Sequence, residues 1–167
     1  MLFGYVVPLA AIGPVATFFA LHVIGVPIAA RQIYRASSGV ALANGALALG
    51  LVLGGVVLIA SLITLLAPPF GAQRDFVRAF RISAYAYTPL FLGGALVLLP
   101  RLGVWQLGAL QLLAGADALV LLVLGLVAMI GASPRRALVF AAVVVTSAFA
   151  CGYLFGVAAA LFRGPIS

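Results

Sequence analysis

Lysine is absent from this chain, and its 167 residues include only two acids, one histidine and one cysteine. Each shortage excludes something. Zinc sites need three or four Cys, His or carboxylate ligands, and these residues cannot assemble the usual sets, so no metal and no cofactor is expected. The lone Cys151 rules out an intrachain disulfide. A nucleophile–base pair would need Cys151 beside His22, and nothing in the sequence brings the two together. Without lysine there is no phosphate-cradling glycine loop of the P-loop kind. No catalytic residue is therefore assigned, and an enzyme is not expected. Charge of either sign is also scarce, at 7% of residues. A soluble domain carries roughly a quarter, because its surface must face water.

What fills the chain is apolar: 66% of residues are hydrophobic, and the mean hydropathy is +1.36. A water-soluble core has no use for so much apolar sequence, so the missing polar shell implies lipid as the solvent. The net charge of +7 comes entirely from arginine on the basic side. These arginines stand singly or in small groups at the ends of apolar runs, which suits lipid headgroups and membrane topology and argues against nucleic acid. The first residues lack the basic stretch of a signal peptide, and the apolar run behind them is too long for one, so a retained first span is expected.

About 20 apolar residues span a bilayer as a helix. That length, with the proline and charge punctuation, predicts an all-α integral membrane protein of about five transmembrane helices in one bundle. The expected spans are about 5–30, 40–67, 82–99, 104–130 and 136–162, with an interfacial segment at 70–81. Pro8, Pro14 and Pro27 should kink or fray the first span. Ser37 or Ser38 can cap the second, Pro68-Pro69 ends it, and Pro100 to Gly103 should form a tight turn. Ser133-Pro134 reads as the start of the last. Five crossings would place Arg74, Arg78, Arg81, Arg135 and Arg136 on one side and Arg31, Arg35, Arg101 and Arg163 on the other. The excess of one favours a cytoplasmic N-terminus.

Three groups of residues are candidates for function. On one continuous helix Arg74, Arg78, Arg81, Tyr85 and Thr88 would share a face. They would form a polar seam leading inward from a basic surface, suited to an anionic lipid head or a partner, or to simple arginine snorkelling. Asp117 falls near the middle of the fourth span, where an ionised acid costs about 2.5–3.5 kcal/mol on insertion scales. His22 is the only other titratable group placed to meet it, so a His22–Asp117 intramembrane pair is one reading. A protonated Asp117 bonded to a carbonyl, or to Thr17, Ser61 or Thr146, is the other. Finally, Gly50 and Gly54, and again Gly152 and Gly156, recur at helical spacing that lets helices pack closely, within the bundle or between copies.

The run Ala84-Tyr85-Ala86-Tyr87-Thr88-Pro89, with Gly93-Gly94 and Pro100 after it, resembles the central signature of the Yip-type domain family. Gly125-Leu126, Ser133-Pro134-Arg135-Arg136-Ala137 and the early Val7-Pro8-Leu9-Ala10-Ala11-Ile12 extend the resemblance over most of the chain. It implies a five-span bundle with a cytoplasmic N-terminus, in a small bacterial inner-membrane protein. Eukaryotic members bind Rab-type GTPases through an N-terminal cytoplasmic region that this sequence does not show, so that activity is not carried over. Asp117 departs from the family pattern, where an aromatic is more usual. The expected role is a non-enzymatic scaffold or partner-binding protein, including an accessory subunit of a larger membrane complex. Its partners would be membrane lipids and another membrane protein, or a second copy of itself. The alternative is a small oligomeric transporter or channel subunit using Asp117 and His22.

Overall fold

The computed structural model describes residues 2–29, 32–99, 104–130 and 133–162. The turn expected at Pro100–Gly103 lies outside them, as do Arg31, Arg101 and Arg163.

The first helix, α1, covers Leu2–Phe19 and continues as one π-helical turn over Ala20–Ile24. It tolerates Pro8 and Pro14 in its interior. The first span is thus shorter than the expected 5–30. At Gly25 the backbone enters φ +85°, which a side chain would resist, and its N–H bonds the Ala20 carbonyl. Beyond it β1 (Val26–Ala29) pairs antiparallel with β2 (Gln32–Tyr34). The hairpin turns the chain directly back toward α2, which runs over Ser38–Leu66. Ser37 caps α2, its side chain accepting a bond from the Val40 N–H. A 3-10 turn at Pro68–Phe70 closes that side, ending at Gly71 in the left-handed region.

The third passage is made of three pieces. Helix α3 covers Phe76–Ala86, α4 covers Thr88–Gly93, and a 3-10 turn covers Gly94–Leu98. Pro89 has no N–H to give the carbonyl one turn back, and here, unlike at Pro8 and Pro14 of α1, the helix is interrupted, at Tyr87. This corrects the expectation of one continuous helix from the interface inward. The last two spans are regular: α5 is Val104–Ile130 and α6 is Pro134–Phe162. Among the described residues four helices are long and apolar enough to cross a membrane, and the broken third passage is the fifth element of the bundle.

Packing follows small residues. Gly13 of α1 meets Gly94 so closely that a Cβ on Gly94 would lie 2.7 Å from the Gly13 Cα. Gly45 of α2 lies against the Pro14 carbonyl, and Gly125 of α5 against Ile82. In a bilayer such close approach matters because lipid leaves little hydrophobic driving force between helices, and contact must hold them. One cluster centres on Ile63, Leu126, Phe140 and Val144, joining α2, α5 and α6. A second, with Val6, Val56, Ala84 and Phe91, joins α1, α2, α3 and α4. At the end of the bundle that carries Arg78 and Arg136, Phe70 stacks on Phe140 with centroids 4.4 Å apart.

Candidate functional site

Helix α3 is amphipathic. Ala79, Ser83, Ala84 and Ala86 are buried, while Phe76, Arg78, Arg81 and Tyr85 are exposed. Asp75 caps it, accepting a 3.0 Å bond from the Arg78 N–H, and its second oxygen stands 4.0 Å from Arg78 Nε. That ion pair is exposed and contributes little by itself; the cap is the stronger reason for Asp75. Arg74 precedes the cap, so it does not share the helical face, although it is exposed beside it. The basic edge therefore consists of Arg78 and Arg81 on a firmly packed helix, with Arg74 on the strand of chain entering it.

Deeper along the same face, the seam closes against α1. The Tyr5 ring lies 5.2 Å from that of Tyr85, and the Tyr5 hydroxyl is 2.9 Å from Thr88 Oγ1. Thr88 also donates to the Ala84 carbonyl at 3.3 Å. Tyr85 and Thr88 are thus engaged in holding α1 to the break in the third passage. On the other side of that break Gln111 of α5 donates to the Gly93 carbonyl at 3.1 Å. Where α-helix gives way to 3-10, backbone carbonyls lose their usual donors, and in lipid a side chain must replace them. A cavity of about 870 Å³ opens beside this bond, lined by Ile59, Tyr87, Leu90, Gln111, Leu122 and Phe149 among others.

The Yip1 domain model matches residues 1–156, which takes in the broken passage, α5 and most of α6. The chain belongs to the Yip1 domain family. No curated protein and no solved structure matches it. The Yip1 domain here is a multi-pass membrane protein whose Tyr-Thr-Pro segment is the point where the third passage breaks and is pinned to α1 and α5.

His22 and Asp117 are not brought together within the chain. His22 lies in the π-helical turn that follows α1, where its Nδ1 is 3.0 Å from the Ala36 carbonyl oxygen and its ring packs near Phe18. The Ala36 N–H in turn donates to the Leu21 carbonyl, so the histidine clips the start of α2 to the end of α1. Asp117 is thirteen residues into α5, about 20 Å from the end nearest that clip. Its carboxylate is exposed on the outer face of α5, with no hydrogen-bond or ion-pair partner among the described residues.

The glycine spacing also needs correction. Gly50 and Gly54 are exposed, with nothing within 4 Å of the place a Cβ would take, so packing inside this bundle does not use them. Gly45 and Gly55, on the other side of α2, make the close approaches to Pro14 and Tyr87 instead. The surroundings of Gly152 and Gly156 lie outside the described residues. Tyr5 and Gln111 carry structure that sequence reading passed over. Both are polar groups inside apolar spans, and that is the signal that could have found them.

Proposed function

We propose that this Yip1-domain chain is a non-enzymatic membrane scaffold that holds a partner, as an accessory subunit of a larger assembly in a bacterial inner membrane. The observation that carries this reading is the mounting of Arg78 and Arg81. Their helix buries Ala79, Ser83, Ala84 and Ala86 against its neighbours, so the two cations project from a fixed platform. A basic edge at the membrane surface attracts anionic headgroups and acidic segments of partners, and a rigid support lowers the ordering cost of binding. Arg74 adds a third exposed cation beside them. The reaction chemistry of an enzyme has no comparable support, because Tyr85 and Thr88 at the inner end of the seam are occupied with Tyr5.

The test is purification from native membranes in mild detergent, with mass spectrometry of what travels with the chain. A stoichiometric partner that is lost from the Arg78→Ala, Arg81→Ala double variant supports the scaffold. Retention of the same partner by that variant would move the binding surface elsewhere, and a chain that always travels alone would reject the reading. A conducting role would need Asp117 and His22 along one path. Asp117 faces outward from α5 and His22 is bonded to the Ala36 carbonyl, so such a path would have to be assembled between copies.

A further inference from the structure

The second acid of the chain has no explanation among the described residues. Asp75 caps α3, whereas Asp117 stands at mid-span on the face of α5 turned away from its own bundle, where Ala118, Leu122 and Leu126 are buried on the opposite side. A carboxyl group facing hydrocarbon is unfavourable unless another helix supplies a donor. A suitable donor exists on this same chain. Thr146 of α6 is exposed, and its hydroxyl makes no hydrogen bond with a described residue. It lies twelve residues after Pro134, and Asp117 lies thirteen before Ile130, so the two share a depth of about 18–20 Å from the same end of the bundle.

We propose that α5 of one copy packs on α6 of a second copy, with Asp117 accepting the hydroxyl proton of the partner copy's Thr146. This builds on the partner-binding reading by naming one partner and one surface. In copies that share an orientation, α5 and α6 of the two chains run antiparallel, and a two-fold pair makes the contact twice. The register that matches Asp117 with Thr146 also sets Leu113 opposite Ala150 and Val120 opposite Val143. Ala142, Thr146 and Ala150 are all exposed at four-residue spacing, forming a shallow small-residue groove on α6. Leu113, 66% exposed, is a large side chain one turn from Asp117 and fits that groove. The described arginine that lies deepest, Arg81, is five residues into α3, about 7.5 Å from its start, and the others lie nearer the helix ends or in connecting segments, so a second copy offers Asp117 a hydroxyl at this depth and no cation.

The test uses disulfide cross-linking in native membranes. Cys151→Ala makes the chain cysteine-free, since Cys151 is its only cysteine. Two differently tagged chains are then co-expressed, one carrying Leu113→Cys and the other Ala150→Cys, and oxidised. A cross-linked pair is expected, and no pair when Leu113→Cys is combined with Val143→Cys, which lies about two turns off register. Adding Asp117→Leu should weaken association roughly tenfold, while Asp117→Asn, which keeps an acceptor, should preserve it. Far-UV circular dichroism of the Asp117→Leu chain confirms that it still folds. Cross-linking without register preference, or unchanged by Asp117→Leu, overturns the pairing. So does a monomeric chain that still carries another membrane protein, which would leave the scaffold reading intact. A chain that is monomeric and alone overturns both.

Discussion

The third passage of the bundle is broken between Ala86 and Thr88 and changes helix type at Gly94, while the fourth runs unbroken from Val104 to Ile130. They pack side by side, yet they dispose of polar groups in opposite ways. In the third passage the polar groups inward of Arg81 that flank the break, Ser83, Thr88 and the Gly93 carbonyl, are engaged within the chain. Ser83 donates to the Ala79 carbonyl at 2.9 Å, Thr88 meets Tyr5, and the Gly93 carbonyl takes a bond from Gln111. In the fourth, Asp117 faces outward without a partner among the described residues. Lipid supplies no hydrogen bonds, so a backbone break must be repaired from within, and a polar group left over points to a contact beyond the chain. The comparison separates groups that hold the fold from a group available for association.

The largest effect should come from closing the contact that brackets the break. Gly94→Ala would place its methyl group 2.7 Å from the Gly13 Cα, and both atoms are backbone-anchored, so neither yields easily. A loss of about 3 kcal/mol is expected, at the upper end for overpacking. Thermal unfolding in a single detergent, followed by far-UV circular dichroism, measures it. Gly125→Ala meets the β-branched Ile82 side chain, whose Cγ2 would lie 2.6 Å away and yields only by a strained χ1 or a small shift of α3, and should cost about 2 kcal/mol. Equal losses for the two variants would mean that the α1 crossing is no tighter than the α5 contact.

Gln111→Leu comes next. It leaves the Gly93 carbonyl without its donor, beside a cavity lined almost wholly by apolar side chains. The expected cost is about 1–2 kcal/mol by the same melt. Tyr5→Phe keeps the ring against Tyr85 and removes only the hydroxyl bond to Thr88. Interhelical bonds of this kind in membranes average about 0.6 kcal/mol, and that is the loss expected. If Tyr5→Phe were the more damaging, the pin on α1 and not the repair from α5 would be what stabilises the break.

How far the sequence foretold this comparison differs between the two passages. Helix α5 was legible to its ends, because an apolar run with no interior proline permits one outcome. The break in the third passage was half legible. Pro89 was visible, but a proline in a membrane helix is tolerated when its neighbours accommodate it, and the groups that meet this break, Tyr5 on the Thr88 hydroxyl and Gln111 on the Gly93 carbonyl, lie 83 and 18 residues from their partners. The His22 clip was missed for a related reason. Its partner is the backbone of Ala36, fourteen residues away across a hairpin, and a backbone carbonyl leaves no mark in sequence. Periodicity showed Gly50 and Gly54 to be aligned, but which side of α2 meets its neighbours depends on the bundle, and there Gly45 and Gly55 face inward.

The smallest effect sharpens the contrast most. In the isolated chain, Asp117→Asn and Asp117→Leu remove no bond that holds the fold, since the carboxylate touches no donor among the described residues. Each should therefore change the unfolding temperature of monomeric protein within the scatter of an ordinary surface substitution, about 0.5 kcal/mol. Asp117→Leu should if anything stabilise it, because a leucine suits a lipid-facing position better than an acid. The measurement is the same melt, made in a detergent and at a dilution where size-exclusion chromatography shows a single chain. A loss comparable to that of Gln111→Leu would place Asp117 among the groups that hold the bundle together, and the contrast between the third and fourth passages would fail. No loss in the monomer together with a loss of cross-linking in the membrane would assign the acid to the contact between copies.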